Sequence, residues 1–144
     1  KNDSLKSLSQ YGSTLGMLFQ AVDDYINIWS QDIIDKEKIS EDIYNKKKSL
    51  PFILTTNINE QTSNDIIELY KKDTNEKVIE DILSIFLENN IKEACQTFIL
   101  ETNTKANNAL VYDEYLEEDE VSEILNFKDT ILERIKWQIL EKKL

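Results

Sequence analysis

Apolar residues recur at steps of three and four along most of the chain, the period of an amphipathic helix, and turn-forming residues gather at only a few places. The pattern predicts an all-α protein, a helical bundle of about five or six helices, and two Gly and one Pro are too few for a loop-rich β-fold. The first helix runs from about Asp3 to Trp29, with Leu8, Tyr11, Leu15, Leu18, Val22, Ile26 and Trp29 along one stripe. A polar connector from Ser30 to about Ser40 follows it. A short segment then leads to Lys46-Lys47-Lys48-Ser49-Leu50-Pro51. There Ser49 can cap a new helix and Pro51 suits its first turn, so a helix is expected over Phe52 to about Thr56.

Two polar clusters, from Asn57 to Ser63 and Asp73-Thr74-Asn75, separate further helices, for which Ser63 and Thr74 serve as expected N-caps. Asn89-Asn90 reads as a helix end. From Ile91 the positions Ala94, Cys95, Phe98, Ile99, Ala106, Ala109 and Leu110 repeat as a long helix. The acidic run Glu117 to Glu120 opens a last helix that carries Val121, Ile124, Leu125, Ile131, Leu132 and Ile135 and closes on Lys142-Lys143. Acid at its start and base at its end suit the helix dipole. No fixed-period repeat and no low-complexity linker divides the chain, so residues 1–144 read as one domain or part of one.

Composition narrows the chemistry. Seventeen Lys and Arg against 28 Asp and Glu give a net charge of −11, which argues against nonspecific binding to nucleic acid or to anionic membrane surfaces. No His is present, which removes most zinc sites and any Ser-His or Cys-His machinery. A single Cys, Cys95, allows no intrachain disulfide and fits a reducing, cytoplasmic setting. No uncharged apolar run approaches the roughly 18 to 20 residues of a membrane span.

On a wheel of about 100° per residue, Gly12, Gly16, Phe19, Gln20, Asp23 and Asn27 fall on one arc of the first helix, beside its apolar stripe, with Asp24 just outside. Both glycines of the protein lie there. Each costs about 1 kcal/mol relative to Ala within a helix, so the arc reads as a face that needs room beside it. Asp23, Asp24 and Asn27 offer oxygen ligands at a spacing suited to Mg²⁺, a hard ion commonly shared with substrate phosphates. Lys38 and the run Lys46 to Lys48 follow on the connector, and cations beside a carboxylate cluster are what a metal-bridged phosphate requires. The plain alternatives are a solvated acidic face, an exposed basic turn, and glycines that only permit a close helix crossing.

At these residues the sequence resembles the trans-isoprenyl diphosphate synthase, or polyprenyl synthetase, family. The stretch from Gly12 to Trp29 is similar to that family's second aspartate-rich region, with Gly-x-x-x-Gly, Phe-Gln and Asp-Asp-x-x-Asp in order. Lys38-Ile39-Ser40-Glu41-Asp42-Ile43 resembles its Gly-Lys…Asp-Ile/Leu element, and Lys46 to Pro51 its Lys-x-Ser/Thr-x-Pro helix start. Leu87 to Ala94 and Phe127 to Arg134 resemble its closing helices.

The resemblance implies an all-helical isoprenoid synthase fold around a deep cavity. There an allylic diphosphate ionises with Mg²⁺ held by two facing aspartate-rich helices, isopentenyl diphosphate attacks, and pyrophosphate is released. It assigns Asp23 as the main metal ligand, with Asp24 supporting it and Asn27 third. Phe19 and Gln20 line the cavity, and Lys38 and Lys47 hold diphosphate oxygens. It further implies a homo- or hetero-oligomer.

The chain departs from the pattern in Asn27, which stands for a third Asp, and in Glu37, which stands for the Gly before Lys38. It also lacks a first Asp-Asp-x-x-Asp. The expectation is therefore the C-terminal half of an isoprenyl diphosphate synthase-like domain, not active as this chain alone. It is either a piece of a longer protein, as a start at Lys1 rather than Met favours, or a partner of a second chain that carries the first motif. Two other readings compete: a noncatalytic helical subunit that modulates a synthase, and a class I terpene cyclase-like protein. The Asn-x-x-x-Ser/Thr-x-x-x-Glu triad expected of the latter is absent, with Arg134 at the Glu position after Asn126 and Thr130.

Overall fold

The computed structural model describes residues 2–29, 41–111 and 118–139. Among them every regular element is a helix: α1 (Asn2–Trp29), α2 (Glu41–Tyr44), α3 (Leu50–Thr56), α4 (Glu60–Lys71), α5 (Glu76–Glu88), α6 (Ile91–Val111) and α7 (Glu118–Ile139). The all-α expectation holds. The added element is α2, a single turn too short to leave a periodic signature. The end of the last helix at Lys142-Lys143 and the connector with Lys38 lie outside the described residues.

The chain divides into two compact units, one of residues 1–22 with 98–144 and one of residues 23–97, so that the division falls within α1 and α6. In the first unit Tyr11, Ala106 and Leu110 are buried together, with Leu8, Leu15, Ala109, Val121, Ile124 and Leu125 packed around them. These are stripe positions of α1, α6 and α7. Two buried polar groups tie this core down. The Tyr11 hydroxyl donates to the Ile124 carbonyl at 3.0 Å. Lys128, only 3% exposed, donates to Asn103 Oδ1 at 2.7 Å and Asn107 Oδ1 at 2.6 Å, and pairs with Asp129 at 3.0 Å. Of the three N–H groups of an ammonium, two are taken by these amide oxygens, and the Asp129 carboxylate balances the charge.

In the second unit α3 packs on α4, and α5 packs on both α4 and α2. Ile43, Ile66, Ile82, Phe86, Ile91 and Cys95 are buried, as is Tyr25 of α1. Trp29 sits against Tyr25, with ring centroids 5.0 Å apart, and against Phe86 at 6.5 Å, and Phe52 packs on Tyr70 at 4.3 Å.

The helix starts correct two sequence expectations and bear out the position of a third. The cap of α4 is Asn59, accepting from the Thr62 N–H at 2.9 Å, four residues before Ser63. The cap of α5 is Asn75, accepting from the Val78 N–H at 3.0 Å. Thr74 instead donates its hydroxyl to the Tyr44 carbonyl. Asn caps as well as Ser or Thr, so a cluster rich in all three leaves several starts open until packing chooses. Ser49 does occupy the N-cap position of α3 with Pro51 in the first turn, but its side chain makes no capping bond.

Candidate functional site

The missing cap of α3 is supplied from another helix. Asp24, on the last turns of α1, is 3% exposed. One of its carboxylate oxygens accepts the Leu50 backbone N–H at 2.8 Å, and the other meets the Lys47 ammonium at 2.9 Å. A carboxylate at a helix N-terminus satisfies an orphan N–H and opposes the positive end of the dipole, so Asp24 does at long range what Ser49 does not do locally. One turn on, Asn27 Oδ1 accepts the Asp42 backbone N–H at 3.1 Å, where α2 begins. Two neighbouring side chains of α1 thus receive the N-terminal ends of two later helices.

The segment between those helices has its own local logic. Lys46 adopts the left-handed conformation, φ 51°, and the Lys46 N–H bonds to the Ile43 carbonyl while the Lys47 N–H bonds to the Asp42 carbonyl. That pair of bonds is the Schellman closure of a helix end. The closure folds Lys47 back over Asp42, and its ammonium lies 3.2 Å from Asp42 Oδ2 as well as beside Asp24. The three lysines therefore part company: Lys46 Nζ donates to the Leu69 carbonyl near the end of α4, Lys47 bridges two carboxylates, and Lys48 is exposed.

Electrostatics follow the packing. The Lys47 ammonium is held above its usual range, first by the bond to Asp24 and further by Asp42, against some desolvation. Burial pushes the Asp42 carboxyl up, Lys47 pulls it back, and the charges of Asp24 and Asp23 push it up again. Cys95 is pushed up to about 12 by burial and by the Asp24 charge.

The sequence-predicted residues fall into three groups. Asp24, Asn27 and Lys47 come together in the second unit, and Asp23, adjacent on α1, is half-buried. Phe19, 48% exposed, and Gln20, exposed, lie on the part of α1 that belongs to the first unit. Lys38 lies outside the described residues. Gly12 and Gly16 are exposed, and a Cβ on either would meet nothing within 4 Å. Among the described residues, no helix crosses over them that would require their small size. Asp42 received no role from the sequence, although it stands in the Lys38…Asp42-Ile43 element. Its signal was its five-residue distance from Lys47, which carries meaning only once the Schellman turn is seen. Among the described residues no three acidic or sulfur side chains gather as a preformed metal cage.

Residues 1–86 match the family model described as polyprenyl synthetase. The chain belongs to the polyprenyl synthetase family. The matched stretch holds α1 to α4 and most of α5, and with them every member of the Asp24–Lys47–Asp42 cluster, whereas the buried Lys128 with Asn103 and Asn107 lies beyond it. Over 68 residues the chain is 28% identical to a geranylgeranyl diphosphate synthase of Mycobacterium tuberculosis (strain ATCC 25618 / H37Rv), a stretch that is 47% of this chain and 19% of that protein. No solved structure matches the chain. As a polyprenyl synthetase family member it carries, among the described residues, no helix long and apolar enough to cross a membrane.

Proposed function

We propose that this chain contributes one aspartate-rich helix and its lysine-bearing neighbour to an isoprenyl diphosphate synthase, which joins an allylic diphosphate to isopentenyl diphosphate and releases pyrophosphate. The observation that carries the reading is the polyprenyl synthetase match over residues 1–86, within which Asp24 and Lys47 are paired at the end of α1. The relative named geranylgeranyl diphosphate synthase supports the same substrate class.

The donor set suits Mg²⁺, which binds through one or two carboxylates together with substrate phosphates and waters. We assign the ion to Asp23. Asp24 and Asn27 support that assignment from behind, because their oxygens hold the N-termini of α3 and α2 and so fix the turn on which Asp23 stands. When bound, the ion neutralises the departing pyrophosphate. The family resemblance gives Lys47 and Lys38 to the diphosphate oxygens and Phe19 and Gln20 to the prenyl chain. One helix of carboxylates completes half of such a centre, so the reading includes the first aspartate-rich helix, on a missing N-terminal half or on a second chain, in a homo- or hetero-oligomer, in the cytoplasm.

The test combines this chain with the polypeptide that carries that first motif and measures Mg²⁺-dependent pyrophosphate release and chain elongation. Asp23→Asn is expected to lower turnover by about 100-fold or more, as loss of an electrostatic transition-state contact does, with helix content unchanged. Turnover that survives Asp23→Asn would instead make the chain a noncatalytic, modulating subunit.

A further inference from the structure

Lys47 is 45% exposed at its side chain, yet the two carboxylates that hold it are 5% and 10% exposed. Two of its three ammonium protons are spoken for, one by Asp24 Oδ1 at 2.9 Å and one by Asp42 Oδ2 at 3.2 Å. The third has no partner among the described residues, and nearly half of the side chain is open to solvent. A lysine is otherwise a mobile point charge on a flexible four-carbon stem. Here its stem starts from a Schellman turn and its head is gripped from two sides.

We infer that Asp42 is a positioning residue: with Asp24 it fixes the Lys47 ammonium so that its remaining N–H meets a phosphate oxygen of a diphosphate. The inference rests on the prenyl-diphosphate reading above and assigns to Asp42 a part that the motif residues alone do not define. Its physical content is preorganisation, since a cation already held in its bound geometry loses less conformational freedom when the anion arrives. Asp42 itself never touches the anion. Its negative charge opposes anion binding directly, so charge and positioning predict opposite signs for its removal.

That opposition makes the test decisive. Mg²⁺ with inorganic pyrophosphate is titrated calorimetrically into the chain combined with the polypeptide that carries the first aspartate-rich motif, with this chain as wild type, Asp42→Asn, Asp42→Glu, Lys47→Met and the Asp42→Asn/Lys47→Met double variant, and far-UV circular dichroism confirming the fold of each. If Asp42 positions Lys47, Asp42→Asn weakens pyrophosphate binding about 3- to 10-fold despite removing a negative charge. The effect vanishes in the Lys47→Met background, because contacting partners are non-additive. Asp42→Glu, which keeps the charge and moves it by one methylene, gives an intermediate loss and serves even if Asp42→Asn does not fold. Unchanged or tighter binding by Asp42→Asn while the wild type binds overturns the inference alone. A wild type so combined that does not bind Mg²⁺-pyrophosphate overturns the prenyl-diphosphate reading and the inference with it.

Discussion

Replacing Asp24 by Ala tests the central joint of the second unit. The substitution removes one charge-assisted bond to Lys47 and one to the Leu50 N–H. It also leaves that N–H, on a residue only 8% exposed, without its partner. A hydrogen bond to a charged group contributes about 1.5–3 kcal/mol, and loss of a helix cap costs about 0.5–2 kcal/mol. The Lys47 part is discounted because its side chain is 45% exposed and Asp42 still holds it. The net expectation is about 2–4 kcal/mol for Asp24→Ala. Asp24→Asn keeps an acceptor for Leu50 and loses the ion pair, so about 1–2 kcal/mol is expected. Urea denaturation followed by circular dichroism reads the change as a lower midpoint, by about 1–2 M for the Ala variant at ordinary urea slopes. Native-state amide exchange reads it locally, with Leu50 exchanging about 100-fold faster for a loss near 3 kcal/mol. An Asp24→Ala midpoint within about 0.5 kcal/mol of wild type, the scale of a neutral surface change, with Leu50 still protected, would refute the claim that Asp24 caps α3.

Two further expectations concern other buried groups. Lys128→Met leaves the half-buried Asn103 and Asn107 Oδ1 without their donor and is expected to cost about 1–2 kcal/mol, the lower part of the about 1–3 kcal/mol for orphaning a buried acceptor. Adding Asn103→Leu and Asn107→Leu should restore part of that loss, as replacing a polar group together with its partners often does, while the exposed Asp129 turns to water, and a triple variant less stable than Lys128→Met would contradict the assignment. Cys95 is fully buried and its thiol is pushed from an ordinary 9.0 up to about 12. The folded state therefore keeps its proton where the unfolded state has lost it: the contribution is complete below pH 9 and declines as pH rises from 9 toward 12. Cys95→Ala should flatten that decline in pH-dependent urea melts. Thiol labelling of the native chain at pH 8 should be slow and accelerate with unfolding, and rapid labelling in native buffer would contradict the burial.

The helices were legible because their signal is local. The stripe Leu8, Tyr11, Leu15, Leu18, Val22 repeats at the helical period, and Tyr11, Leu18 and Val22 are indeed buried. The caps were less legible, since Asn59 and Ser63 are equivalent in kind, and only the packing of α4 on α3 and α5 selects the start at Glu60. The site was half legible. Asp23, Asp24 and Asn27 stood out by spacing and Lys47 by its place in a basic run, but spacing treats Asp23 and Asp24 as equals. The fold separates them, burying Asp24 at 3% exposure against Leu50 and Lys47 while Asp23 stays half-buried.

Sequence by itself determined that this chain is helical, acidic and built on the aspartate-rich pattern of the polyprenyl synthetase family, because periodicity, charge and motif order all survive without coordinates. Tertiary structure decided which oxygen serves which partner. A carboxylate's role depends on the N–H and ammonium groups that reach it, and those of Asp24 arrive from residues 23 and 26 positions away, a distance over which no local pattern carries information.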